Sequence, residues 1–498
     1  YNKISGHELW KSDGTSDGTV MIKDIRSGSA NSDPRGFMTD GSKIYFGADD
    51  GTHGCQVWKS DGTSDGTVML KDIRNGSKGS YPTLLTTVGS DIFFRADDEI
   101  TGNELWKSDG TSNGTAMVKD IRSGLGGSYP YYGDAVLYAN GSILFLTADD
   151  GINGNELWKS DGTSNGTSLV KNICNSSAGS NPSSLTSIGS TLYFSADDGL
   201  NGRELWKSDG TSGGTLLVKD IRSGAAASNP DNLIVAGSTL YFISDNGVNG
   251  FELWKSDGTT IGTVMVKDIY SGSTGSNPSN FVVIGSTLYF TADNGLNGTE
   301  LWKSDGSTAG TIMIKDIQSG AASSHPCQLV VVGSTLYFTS DNGNNGQELW
   351  KSDGTSAGTV IVKDIIVGYA GSHPHCLTAV NSTLYFTSDN GINGRELWKS
   401  DGTSGGTVLV KDIRSGSSGS DPTWLKAVGS SLYFVADNGI NGSELWQSDG
   451  TSSGTFMIED IIPGNQSSTP HEFLFFNGCL YFIASTSSSG EELYYLEF

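Results

Sequence analysis

The sequence predicts an all-β fold, a propeller or propeller-like array of about ten four-stranded blades, and three observations lead there. Tryptophan recurs at Trp10, Trp58, Trp106, Trp158, Trp206, Trp254, Trp302, Trp350, Trp398 and Trp446, with Tyr494 where the next is due. Nine of the intervals are 48 residues and one is 52, a period typical of propellers and stacked arrays, whose units cannot bury their apolar surface singly. The 69 glycines, with Asn and Asp, fall between short apolar runs, as turns fall between short strands.

One copy, from Pro278 to Ile317, shows each element in turn. Residues 281–284 read as a first strand closed by Gly285-Ser286, and residues 287–292 as a second closed by Asp293-Asn294-Gly295-Leu296-Asn297-Gly298. Residues 300–304 form the third, and after the turn at 305–310 residues 311–317 form the fourth. Alternation puts Leu288, Phe290 and Ala292 on one face and Tyr289 and Thr291 on the other, and sets Ile312 and Ile314 against Met313 and Ile317. A sheet apolar on both faces must lie between two others. A β-solenoid, with repeats of about 20 to 30 residues, fits less well.

The uniform period leaves no linker, so residues 1–498 read as one continuous repeat domain. It comprises a partial unit at 1–26, nine full units at 27–460, with Glu459 in place of Lys near their end, and a degenerate terminal unit at 461–498, where Ala484-Ser485-Thr486 has replaced the turn aspartates. The chain opens at Tyr1 inside a repeat, as a processed or truncated product would. The long interval carries four extra residues around Pro130-Tyr131-Tyr132-Gly133-Asp134, an asymmetric loop suited to binding.

A formal charge of −24 excludes a phosphate-binding groove, so no nucleic acid is expected, nor docking on anionic lipid. No run is long enough for a membrane span, and no signal peptide is visible. Lysines recur at the Lys303 and Lys315 positions, where Glu300, Asp305 or Asp316 are the expected partners. Cys55, Cys174, Cys327, Cys376 and Cys479 form no CxxC pair and no metal spacing. Cys327 and Cys376 lie nearly one period apart, and two readings stand: a disulfide between adjacent units, or two buried thiols. Sequons at Asn75, Asn113, Asn140, Asn165, Asn175, Asn297, Asn381, Asn441 and Asn465 permit N-glycosylation, although a chain this rich in Asn, Ser and Thr yields several by composition alone.

The string Glu-Leu-Trp-Lys-Ser-Asp-Gly-Thr resembles the signature of the ELWxxDGT repeat family over nearly the whole chain, departing at Gln56-Val57, Gln447 and the last copy. That resemblance implies a secreted or surface protein. Ala292-Asp293-Asn294-Gly295-Leu296-Asn297-Gly298-Thr299-Glu300-Leu301-Trp302 is also similar, more distantly, to the tryptophan-docking motif of quinoprotein-type propellers. The similarity implies that each Trp lies on the neighbouring blade with its indole N–H bound to backbone there, a structural staple.

Catalysis needs a unique constellation, whereas nearly every carboxylate here recurs with the period. A quinone enzyme of the resembling type would commonly carry vicinal cysteines, and no two are adjacent. His373-Pro374-His375-Cys376 is the one histidine cluster and lacks zinc spacing. No catalytic residue, bound cofactor or transition-metal site is therefore expected. Structural calcium at the turns of Asp49-Asp50, Asp149-Asp150 and Asp197-Asp198 stands beside the reading that these residues only form turns. The expected function is a non-enzymatic extracellular or cell-surface structural protein, for adhesion or for head-to-tail assembly into a filament or surface layer. Its partners would be copies of itself, glycans or other surface proteins. The alternative is a carbohydrate-binding lectin-type propeller in which Tyr289-type residues stack on sugars.

Overall fold

Each repeat closes its strands as successive hairpins in the computed structural model, which describes residues 9–11, 20–27, 30–128, 136–476, 479–485 and 491–497. Ser279–Ile284, Thr287–Asp293, Thr299–Ser304 and Ile312–Lys315 form one antiparallel sheet in that order. Nine sheets of this four-stranded kind occur among the described residues, making the fold an all-β, propeller-type array of blades. No helix among the described residues is long and apolar enough to cross a membrane.

By contact the chain falls into two compact units, one of Tyr1–Gly202, Trp206–Leu216 and Ile458–Phe498, the other of Arg203–Leu205 and Leu217–Met457. In a quasi-one-dimensional array each repeat packs mainly on its neighbours. In the second unit Tyr241, Leu253, Val266 and Ile269 of one blade pack against Leu288, Phe290, Ala292 and Trp302 of the next. The opposite face of that next blade offers Tyr289, Leu301, Ile314 and Ile317 to Leu336, Phe338 and Trp350. Within the first unit Tyr45, Val57 and Leu70 meet Ile92, Phe94 and Trp106 in the same way.

Two strand boundaries differ from expectation. The fourth strand stops at Lys315, and a register shift between Leu301 and Trp302 turns its end, so Ile314 and Ile317 share an interface while Met313 joins the other. The first strand begins two residues early, with a bulge: Ser279 pairs with Thr291 and the next pair is Val282 with Tyr289. Asn280, inside the bulge, has φ of 54°, and Asn232, Gln328, Cys376 and Trp424 repeat that left-handed backbone. Such a bulge re-aims side chains at the strand end.

Within the first unit the two ends of the chain share a five-stranded sheet. Leu9–Lys11 runs parallel to Glu491–Glu497, with Leu9 opposite Leu493, and Val20–Lys23 adds to its far side. Both partners are third strands of their repeats, which accounts for the fifth strand. This pairing takes up, inside the chain, the facing edges of Leu9–Lys11 and Glu491–Glu497.

Candidate interaction rim

Most polar side chains of the repeat are used by the frame. Trp302 is buried, stacks on Phe290 of its own blade at 6.5 Å and 28°, and faces Val266 and Ile269 of the preceding blade. Its indole N–H donates to the Ala292 carbonyl at 3.1 Å, as Trp58 does to Ala48 and Trp446 to Ala436. At these three tryptophans the N–H partner lies in the blade's own hairpin rather than on the neighbour, and the preceding blade contributes to Trp302 the Lys267 ammonium, 5.8 Å from the ring centroid. Trp106, Trp158, Trp206, Trp254, Trp350 and Trp398 are equally buried; the side chains of Trp10 and Tyr494 lie outside the described set.

Lysines also depart from their expected partners. Lys315 donates to the Thr359 carbonyl at 2.8 Å and Lys255 to the Gly306 carbonyl at 2.7 Å, each on the next blade. Glu300, fully buried, instead accepts the backbone N–H groups of Ile317 and Ser324, both at 3.1 Å, and the Ser324 hydroxyl at 2.6 Å. It thereby ties the end of the fourth strand to the segment leading to the next blade. Burial pushes its carboxyl up to about 7 against the pull of those hydrogen bonds.

The turn aspartates serve their own turns. Asp49 accepts Gly51 N–H and pairs with Arg26, Asp149 accepts Gly151 N–H and pairs with Arg122, and Asp50 and Asp198 each accept two backbone N–H groups. Among the described residues no group of three or more potential metal ligands gathers.

Apart from the blade whose lead-in falls outside the described residues, what the frame leaves over lies at one end of each four-stranded sheet. Four positions meet there: the residue before the linker proline, the first two of the first strand, and the first of the third strand. Around them the frame repeats almost unchanged, yet these positions read Asn229, Asp231, Asn232 and Phe251 in one blade and His373, His375, Cys376 and Arg395 in another. Neighbouring blades touch through them. Arg35 sits 5.5 Å over the Tyr81 ring, Gln328 bonds His375 at 2.7 Å, and Gln347 bonds His373 at 3.2 Å. Tyr81 and Trp424 are 54% and 52% exposed, so the rim offers aromatic surface to solvent. Phe251, with Asn229, Asp231, Asn232, Asn277 and Ser279, lines a pocket of about 390 Å³. The bulge and the left-handed backbone before each proline aim these side chains, a signal that the internal alignment of repeats carries as variability inside a constant frame.

Several expected sites resolve differently. Cys327 and Cys376 are free thiols; a spacing of 49 in a period of 48 puts one at the first and the other at the second position of its strand. Cys327 contacts the Thr339 hydroxyl at 3.0 Å, and burial raises the Cys376 thiol. Tyr289 is buried between blades and cannot stack on a sugar. Asn75, Asn113, Asn165, Asn175, Asn381 and Asn465 are exposed, whereas Asn140, Asn297 and Asn441 are half-buried, and Asn297 donates its amide to Asp316. The loop at 130–135 lies outside the described residues.

No protein-family model matches this chain, and no curated protein matches it by sequence. Among solved structures it is similar to the computationally designed Ika8 protein, with 12% identity and a TM-score of 0.35 over 74% of this chain and 98% of that one. A puromycin hydrolase shares 12% identity at a TM-score of 0.34, over 71% of this chain and 58% of that one. A structure from a study of two prolyl endopeptidases gives 12% and 0.34, over 72% and 59%. The chain spans less than two thirds of the length of the hydrolase and endopeptidase chains.

Proposed function

We propose that the chain is a non-catalytic repeat scaffold of an extracellular or cell-surface protein, acting in adhesion through the rim at the starts of its first strands. One observation carries the reading: Trp and Lys of the repeat hold blade to blade, Glu and Asp are used by strand ends and turns, and four positions per blade vary and gather at that rim. Constant frame with varied display is the arrangement of a recognition surface. Exposed sequon asparagines suit an outer surface, since a glycan there disturbs no frame contact.

The Phe251 pocket favours a lectin-type form of this function. An aromatic face beside amides and a carboxylate is the chemistry that takes a sugar ring by its apolar face and its hydroxyls together. A glycan array with the intact chain, repeated with Phe251→Ala and Trp424→Ala, tests it. Binding lost in the variants at unchanged melting temperature supports rim recognition. Binding that survives both substitutions sinks it, and an array blank throughout leaves protein partners as the adhesive target.

A further inference from the structure

Most blades carry a second acid near the glutamate: Asp120 acts through its charge on Glu104, Asp220 on Glu204 and Asp412 on Glu396. Asp316, just past the fourth strand, accepts the Asn297 amide on Oδ2 at 2.9 Å, while its Oδ1 is buried without any hydrogen-bond donor. The equivalent oxygens of Asp120, Asp220, Asp268, Asp364 and Asp412 are orphaned in the same way. One blade differs. There Gln56 stands in the glutamate's place, and its Nε2 donates to Asp72 Oδ1 at 2.9 Å. A second natural exchange, Asn172 opposite Glu156, gives its Nδ2 to Asn153 at 2.7 Å and again leaves Oδ1 without a donor. Only the blade with an amide N–H at this point satisfies the oxygen. A buried acceptor left unpaired is costly.

We propose that Glu300 and Asp316, and their counterparts in the other Glu–Asp blades, share one proton, the glutamic acid O–H donating to Asp Oδ1 where the Gln56 amide does so. Each pair then holds a single negative charge, and the glutamic acid oxygens keep accepting the backbone N–H groups of Ile317 and Ser324. The groups facing the pair are Asn297 from the turn and Ser324 from the linker, both uncharged. Lys315 is turned to the next blade's carbonyl; in the blade of Glu104, Arg122 turns its guanidinium to Asp149. No cation among these neutralises a second charge.

The consequence is a pH-sensitive array. Burial lifts Glu104, Glu204, Glu300 and Glu348 to about 7, so their stabilisation is complete below the unfolded glutamate value of about 4.3 and is lost as pH rises through the folded value. Equivalent pairs release their protons over one pH range, loosening many blades together.

The test is the melting temperature of the intact chain between about pH 5 and pH 9, against a Glu252→Gln, Glu300→Gln, Glu348→Gln variant. The unmodified chain should lose several degrees across neutrality; the variant, with three pairs rebuilt as Gln–Asp, should lose measurably less and melt higher at the alkaline end. An equal fall in both proteins overturns the proposal. Should the variant fail to fold, infrared spectroscopy of the unmodified chain decides: a protonated carboxyl band present near pH 6 and fading above pH 8 supports the shared proton, and no such band refutes it.

Discussion

Lys267 places its ammonium 5.8 Å from the centroid of the Trp302 ring and donates to the Thr311 carbonyl at 2.8 Å, so one side chain makes two contacts with the following blade. Lys315 and Trp350, Lys363 and Trp398, and Lys411 and Trp446 repeat the ring contact at 5.9 to 6.0 Å. Blade cohesion therefore combines apolar burial with a cation that satisfies a backbone acceptor.

Removing the ring should cost far more than removing the cation. Trp302→Ala is expected to destabilise by about 3 to 5 kcal/mol, since a large buried aromatic leaves a cavity. Lys267→Met keeps the aliphatic stem and should cost about 1 kcal/mol through the lost cation–π contact and hydrogen bond. Urea titration of both variants checks the order; equal losses would mean that the ring is not the staple.

Two glycines, one in a hairpin and one in the segment between blades, offer a paired comparison. Gly298 has φ of 65°, and a Cβ there would come within 2.7 Å of the Ala322 and Ser323 backbone. Gly320 has φ of 97° with nothing within 4 Å. Gly298→Ala should therefore destabilise by several kcal/mol, against about 1 to 2 for Gly320→Ala, where backbone strain acts alone. Thermal melts of the two variants rank them.

The blade was legible because its signals are local: the Trp302 period, the alternation of Leu288 with Tyr289, and the Asp-Gly turns each report on neighbours in sequence. Glu300 was read as a partner for lysine because charge alone suggested a surface pair. Its real partners lie 17 and 24 residues on, at Ile317 and Ser324, and only the exchange at Gln56 hints that this position is buried. Between the two readings left open for Cys327 and Cys376, the free thiols are the one present, and their strand positions differ by one residue of register. The joining of Leu9–Lys11 to Glu491–Glu497 depends on where the array brings its ends, a long-range property that no repeat encodes.

Chelation should leave the melting temperature unchanged. The carboxylates of Asp149 and Asp150 already accept N–H groups of their own turn, and Arg122 neutralises Asp149 at 2.7 Å. A fall of several degrees on adding a chelator, reversed by calcium, would show that these turns bind the ion instead.

Acid should weaken the array through a different set of groups from the buried glutamates. Hydrogen bonds from the hydroxyl and backbone N–H of residue 307, 355 or 403 hold Asp305, Asp353 and Asp401 below the ordinary carboxylate value. A depressed carboxylate contributes stability that is present above its unfolded value, about 3.9, and is lost as pH falls through the folded value. These aspartates are exposed, so each effect is small, but the turn recurs in every full repeat. Ser307→Ala, Thr355→Ala and Thr403→Ala in one chain should flatten the fall in melting temperature below about pH 4 while leaving the alkaline side unaltered. An acid limb as steep as that of the unmodified chain would show that these turns do not govern it.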